Sequence, residues 1–326
     1  MSEASRRSST TWRGVPVLVT GGDGFIGANL VRRLLTLGAV VHALRRRTTG
    51  PRLAALAGRF ASHEADLTDA ARVTAIMREV APRAVFHLAA YGTAADQTDP
   101  QQLIRTNVEG TMTLVRALEG LPDATFVNTG SMSEYDASPR PLRETHLLRP
   151  GTLYGASKAA ASLFCAAAAT TSPHQIVTLR PFHVYGPFDD PRRLVPTAVR
   201  ACLNGQPLRL VSGVSRRDFV YVEDVVDAYL RAAEPREGLS GETFNVASGR
   251  QHSLAEAVRL LGRLSGEGLK VLRGGFPPRP WDRREWVADV GKARRRLGWR
   301  ATTSLHDGLA LTLAWHRAGA GGLEPW

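Results

Sequence analysis

The chain has 326 residues, 43% of them hydrophobic and 22% charged, enough for an ample core in one large α/β unit or two domains. Its formal charge of +12 comes from 42 basic against 30 acidic residues, but the only lysines are 158, 270 and 292. The arginines are scattered, with short clusters at 45–47, 216–217 and 294–296, and no basic tail or aromatic–basic interleaving, so a polyanionic small ligand is a better expected partner than nucleic acid.

No run approaches the roughly 18 apolar residues of a membrane span. Residues 1–11 are Ser-rich with two arginines and lack the apolar core of a signal peptide, so residues 1–14 are expected to form a disordered tail on a cytoplasmic protein. Cys165 and Cys202 fall in helix-like stretches without metal-ligand spacing and read as buried reduced thiols; no metal site is expected.

Residues 15–20 are an apolar run suited to a buried parallel strand. Gly21, Gly24 and Gly27 follow as Gly-x-x-Gly-x-x-Gly, and Phe25, Ile26, Leu30, Val31, Leu34 and Leu35 recur at helical spacing. In this strand–turn–helix setting Gly21 permits a tight turn, Gly24 lets a pyrophosphate approach the backbone, and Gly27 lets the helix sit close to the strand. The free N–H groups and dipole of the helix start would hold the phosphates.

Residues 39–44 read as a second strand. An NAD site commonly carries Asp or Glu at its end, to accept from ribose hydroxyls, whereas this chain has Arg45-Arg46-Arg47. Guanidinium groups suit a ribose 2′-phosphate, so NADP(H) is favoured, with NAD(H) possible; the alternative is a solvated basic loop.

A third strand is expected over 60–65, followed by Asp66-Leu67-Thr68-Asp69, where Asp69 caps a helix over 70–80. A fourth strand, 84–88, ends in Ala89-Ala90-Tyr91-Gly92, whose small residues leave room for a ribose and phosphate over the strand end. A helix over 100–118 carries Asn107 and Gly110. A fifth strand, 125–129, runs into Gly130-Ser131-Met132-Ser133-Glu134-Tyr135. Strands alternating with helices predict a doubly wound parallel sheet.

Tyr154 and Lys158 stand four apart at the start of a helix expected to run to 170, so they share one face. An ammonium near a phenol favours the phenolate, and a tyrosine tuned in this way can exchange a proton with a carbonyl or carbinol oxygen.

The ordered set of motifs from about 15 to 300 resembles the extended short-chain dehydrogenase/reductases of the NAD-dependent epimerase/dehydratase type. The matching residues are Thr20-Gly21-Gly22-Asp23-Gly24-Phe25-Ile26-Gly27, Asp66-Leu67, His87-Leu88-Ala89-Ala90, Asn107 with Gly110-Thr111, Ser131, Tyr154 with Lys158, Arg180-Pro181-Phe182-His183 with Gly186-Pro187, Arg217-Asp218 with Asp224, and Asp289 through Trp299. The resemblance implies Tyr154 as general acid/base, Lys158 as holder of the nicotinamide ribose, and Ser131 as partner of the reacting oxygen. It places cofactor contacts at Gly21, Gly24, Phe25, Ile26, Gly27, Arg45, Arg46, Asp66, Leu67, Leu88, Ala89, Ala90, Asn107, Tyr154, Lys158 and Pro181. Substrate contacts fall at Tyr91, Ser133, His183, Arg217 and Arg279, the two arginines facing a diphosphate.

The expected fold is therefore α/β, a Rossmann-type doubly wound parallel sheet with a smaller C-terminal α/β substrate domain. Residues 15–180 would form the dinucleotide-binding domain with 215–250 returning to it, and 181–214 with 251–326 the substrate domain. Further elements are expected at 175–179, 194–203, 208–211, 222–233 and 243–246, with Ser253 and Glu256 forming a capping box and a Gly/Pro-rich connection over 266–280.

Sugar 4,6-dehydratases of this family carry an Asp-Glu pair directly after the catalytic Ser/Thr. Here Met132-Ser133 stand there and Glu134 comes one place later, which disfavours elimination. The favoured reading is NADPH-dependent reduction of a nucleotide-diphosphate 4-keto-hexose at C4. The alternatives are a 4-epimerase with tightly bound NAD, a reductase of non-nucleotide ketones and, in another class, a non-catalytic dinucleotide sensor. The resemblance also implies a homodimer built on the helices that carry Asn107 and Tyr154.

Overall fold

The structure, a computed structural model, describes residues 12–46, 50–94, 96–136, 138–210, 215–273 and 286–319. Its sheet grows from the apolar run seen in the sequence. Strand β1 (Pro16–Thr20) is buried along four of its five residues, as a parallel strand covered on both faces must be. It lies between β2 (Val40–Arg45) and β4 (Ala84–His87), parallel to both. Strand β3 (Ala61–Glu64) pairs with β2, β5 (Thr125–Thr129) with β4, and β6 (Gln175–Pro181) with β5, all in parallel. A seventh strand, Thr243–Val246, joins beyond β6. The chain crosses from β3 to β4 on the far side of β1, so the winding reverses between β1 and β4, where open α/β sheets bind ligands.

Helix α1 (Phe25–Thr36) buries Gly27, Ala28, Leu30, Val31 and Leu34. Helix α2 (Ala70–Val80) buries Val73, Ile76, Met77 and Val80, an i, i+3, i+4, i+7 stripe, and Asp69 caps it by accepting from the Arg72 N–H. The α2 face meets Leu18, Val85, Leu114 and Phe126 in a core that is almost fully buried. The helix expected over 100–118 is broken into α3 (Pro100–Ile104), a π-helical turn (Arg105–Glu109) and α4 (Gly110–Ala117). Buried Asn107 sits in that π turn, a local widening frequent at functional sites. Helix α5 (Leu153–Ala168) carries Tyr154 and Lys158.

Two compact units emerge. The first runs through Tyr135 and takes in Leu147–Arg180 and Val226–Phe244; the second holds Asp136–His146, Pro181–Val225 and the chain from Asn245. The returning segment is shorter than the 215–250 read from the sequence, and Asp136–His146 leaves the first unit. Asn245 Nδ2 donates to the Leu142 carbonyl and the Glu144 carboxylate accepts from the Asn245 N–H, which fastens that segment to the second unit.

The second unit packs Tyr185, Val199, Phe219, Tyr221, Leu261 and Leu313 into its own core. Its buried Asp218 accepts from the N–H groups of Ser248, Gly249 and Ala288 and from the Ser248 hydroxyl. Strand Val271–Arg273 pairs with Leu208–Leu210 inside the stretch expected as a Gly/Pro connection. The capping box of Ser253 and Glu256 forms as expected. Trp12 corrects the expected tail: it is 4% exposed and packs on Phe86 with ring centroids 5.9 Å apart, so order extends at least to residue 12. Residues 1–11 lie outside the described residues. Cys165 and Cys202 are buried and free. Among the described residues no helix is long and apolar enough to cross a membrane.

Candidate active site

The site of the first unit starts at the glycine turn after β1. Gly21 has φ +66°, and a Cβ there would lie 2.5 Å from the Ala89 nitrogen, against the backbone after β4. A Cβ on Gly27 would overlap the Gly21 carbonyl, so α1 can approach the turn only without one. Gly24 is the α1 N-cap and makes no side-chain cap, and a Cβ on it would meet only the Gly21 carbonyl oxygen at 3.0 Å within 4 Å. The first-turn N–H groups of a helix have no acceptor inside it, so this cradle fits a pyrophosphate. Phe25 and Ile26, half-buried, open α1. We expect Gly21→Ala to destabilise the fold by about 2 kcal/mol or more, from left-handed strain plus backbone overlap. Denaturant unfolding measures this, and an unchanged midpoint would contradict the packing.

A buried relay ties this turn to the Asn107 helix. Thr20 Oγ1 lies 2.7 Å from His87 Nδ1, and His87 Nε2 lies 2.9 Å from Thr111 Oγ1. Thr111 donates to the Asn107 carbonyl, and Thr20 accepts from the Ala89 N–H. One assignment satisfies all four contacts: His87 Nε2–H donates to Thr111 and the Thr20 hydroxyl donates to Nδ1. Burial, with the Lys158 charge nearby, pushes His87 down to about 3, so the imidazole is neutral as the relay requires. Asn107 in turn accepts from the Tyr91 N–H and donates to the Tyr91 carbonyl and Ser157 Oγ. It therefore fixes the strand end at Leu88, Ala89, Ala90 and Tyr91 against α5.

On α5, Thr152 caps the helix by accepting from the Gly155 N–H, which sets Tyr154 in the first turn. A Cβ on Gly92 would come within 3.0 Å of the Tyr154 ring, so the ring packs on that glycine. Lys158, one turn on, is 1% exposed, and its Nζ has no hydrogen-bond partner among the described residues. Burial lowers its pKa, while Glu134 works in the other direction. A buried ammonium without partners is costly, and the two hydroxyls of a nicotinamide ribose are acceptors of the kind it lacks.

Ser131 caps a short 3₁₀ turn, Met132–Glu134: its Oγ accepts from the Ser133 N–H, while Glu134 Oε1 accepts from the Ser131 N–H at 2.7 Å. The α5 start packs directly on this turn, since a Cβ on Gly155 would overlap the Ser133 carbonyl. Ser131, Ser133, Tyr154 and Lys158 are thus brought to one place.

Glu134 is fully buried and also takes Arg180 Nε at 2.7 Å and the Ser162 hydroxyl at 2.9 Å. Burial pushes its carboxyl up, and Arg180, the Ser131 N–H and Ser162 pull it back. This is a scaffold carboxylate, which sequence reasoning weighed only as a displaced proton donor. The Ser131-x-x-Glu134 spacing, that of a capping box, was the available signal.

The β2 end differs from expectation. Arg45 belongs to the strand and is 9% exposed; it donates to Asp23 at 3.1 Å and to Ser62. It is neither an uncommitted phosphate receptor nor part of a solvated loop. Arg46 is exposed, and Arg47 lies outside the described residues. Asp66 accepts from the Thr68 N–H and hydroxyl, which hold its carboxyl below the usual range together with the charges of Arg46 and Arg105. Leu67 is buried against Gly110.

Pro181, His183 and Arg217 belong to the second unit. Burial lowers His183 well below the ordinary histidine value, helped by Arg217 and Arg193, and its Nδ1 has no partner among the described residues. The imidazole is therefore neutral beside Arg217, which is 9% exposed. Arg279 lies outside the described residues.

Residues 17–247 match the NAD dependent epimerase/dehydratase family. The chain is 32% identical over 312 residues to a UDP-glucose 4-epimerase of Mycolicibacterium smegmatis, covering 92% of this chain and 98% of that protein. It is 30% identical over 330 residues to a dTDP-glucose 4,6-dehydratase of Xanthomonas campestris pv. campestris, covering 92% of each. The solved structure of MoeE5 in complex with UDP-glucuronic acid and NAD is similar with a TM-score of 0.82 at 32% identity, over 93% of this chain and 99% of that one. Dehydratases thus stand beside epimerases among the relatives, so the comparisons lend no support to setting dehydration aside; nor do they single out NADP or 4-keto reduction. On its matched length and its relatives, this chain belongs to the NAD-dependent epimerase/dehydratase family.

Proposed function

We propose that the chain epimerises a nucleotide-diphosphate sugar at C4, with NAD as resident cofactor. The observation that carries this reading is Tyr154 set one helical turn before the buried ammonium of Lys158, which has no hydrogen-bond partner among the described residues, on the helix that packs against the Ser131 turn. The glycine cradle would hold the pyrophosphate, and Lys158 and Asn107 would face the nicotinamide half. When bound, NAD supplies a reversible hydride acceptor.

In this reading Ser131 orients the C4 oxygen by a hydrogen bond. Tyr154 takes the C4 hydroxyl proton and later returns it to the oxygen of the 4-keto sugar. Lys158 favours the phenolate that accepts this proton. By charge, Arg217 and Arg279 are the residues matched to a sugar diphosphate.

Net reduction with NADPH uses the same three groups, and its support lies in the arginines at the β2 end. The Asp23 carboxylate on Arg45 weakens that support. For 4,6-dehydration, Met132 supplies no proton, and Glu134 is committed to Arg180, Ser131 and Ser162. Exposed Ile104 and Leu163, on α3 and α5, support a homodimer through those helices.

Incubation with UDP-glucose, dTDP-glucose and UDP-glucuronic acid, read by product chromatography and by absorbance at 340 nm, tests the proposal. A C4 epimer with no net absorbance change is expected. Steady NADPH consumption with a 4-keto nucleotide sugar would establish the reductase, loss of water the dehydratase, and dinucleotide binding without turnover the sensor.

A further inference from the structure

We infer that Asp23, carried on the glycine turn, selects the unphosphorylated adenosine ribose, with Arg45 as its buried counter-ion. The inference rests on the dinucleotide reading above. Thr20 of β1 stands opposite Leu44 of β2, so Asp23 and Arg45 leave the same end of two parallel neighbours, beside the cradle. Asp23 Oδ2 accepts from Arg45 Nη1 at 3.1 Å.

Of the two side chains the acid is the more accessible, 24% exposed against 8% for the arginine. Arg45 is engaged from behind: its other amino group donates to Ser62, and its guanidinium carbon lies 5.6 Å from the Phe60 ring centroid. Asp23 Oδ1 is itself buried and accepts no hydrogen bond among the described residues, an acceptor left without a donor. The turn is also braced, since Arg52 donates to the Asp23 carbonyl and Arg32 to the Arg52 carbonyl. Arg46 is within the field of a second acid, Asp66.

A ribose diol donates two hydrogen bonds, which a carboxylate accepts. A 2′-phosphate brings close to two negative charges and no matching donor, and it would meet Asp23 at short range in a partly desolvated place. For Arg45 to turn to that phosphate it must abandon Asp23 and leave a half-buried carboxylate unpaired. The acid that such sites commonly carry at the end of the second strand is thus delivered by the turn after the first.

Isothermal titration of NAD⁺ and NADP⁺ into protein stripped of retained dinucleotide tests this without reference to turnover. The wild-type chain should bind NAD⁺ at least tenfold more tightly. Asp23→Ala, which releases Arg45, should cut that preference by at least tenfold and tighten NADP⁺ binding. Asp23→Asn keeps the turn's shape without its charge and should move the preference the same way, with the melting temperature reporting that each variant folds. Asp23→Ala combined with Arg45→Ala should lose the NADP⁺ gain. A preference unchanged within twofold in both single variants, or a wild-type preference for NADP⁺, would overturn the role of Asp23 alone. Failure of the wild-type chain to bind either dinucleotide would instead overturn the cofactor reading beneath it.

Discussion

Tyr154→Phe should lower kcat by about 10³-fold, some 4 kcal/mol of barrier, while leaving dinucleotide affinity and melting temperature close to native. The substitution removes one oxygen and keeps the ring. The ring is the part that packs on Gly92, and the N-cap at Thr152 that orders this turn is untouched. The fall should therefore appear in the chemical step, with KM little changed, because the lost group acts on the proton of the C4 hydroxyl rather than on binding. Lys158 would then have no phenolate to favour, so the pH dependence of kcat should flatten on the acid side. Turnover at the native rate would remove the proposed chemistry, and loss of dinucleotide binding would reassign Tyr154 to the scaffold.

Glu134→Ala should be the most destabilising of the substitutions named here, by about 3–5 kcal/mol. It leaves Arg180, whose side chain is 5% exposed, without its carboxylate, and strips the acceptor from the Ser131 N–H and the Ser162 hydroxyl. Among the described residues Arg180 then retains its donation to the Tyr135 hydroxyl and its place 4.7 Å over that ring. Replacing both partners, Glu134→Ala with Arg180→Leu, should recover part of the loss, because an uncompensated buried charge costs more than an absent pair. Chemical denaturation of the four proteins gives the coupling energy directly. Additive losses would mean that the two side chains do not act as a pair. Glu134→Gln, which keeps an acceptor for the Ser131 N–H but not the charge, separates the two duties: its kcat should fall less than that of Glu134→Ala.

At the β2 end the pairing that matters is between residues far apart in the chain. Arg45 is 22 positions from Asp23, so nothing in the local pattern pairs them; parallel packing of β1 and β2 does. The guanidinium was legible, but its direction was not. The same holds for Glu134 and Arg180, 46 apart, and for the Thr20–His87–Thr111 relay, whose members lie 67 and 24 apart. The break in the helix at Asn107 also escaped the periodic pattern, since a π turn adds one residue to a repeat that otherwise continues.

What this sequence determined unaided is whatever is written in short-range pattern. The apolar runs of β1, β4 and β5, the stripe of α2 with its Asp69 cap, the Ser253 box, the three glycines and the four-residue spacing of Tyr154 and Lys158 all depend on neighbours within one or two turns. Tertiary structure alone decided which charges meet. It buried Lys158 without a hydrogen-bond partner among the described residues, committed Glu134 to the scaffold and paired a carboxylate with Arg45. Burial and pairing across strands set the energy of a charge, and both are properties of chain segments that the fold brings together from far apart.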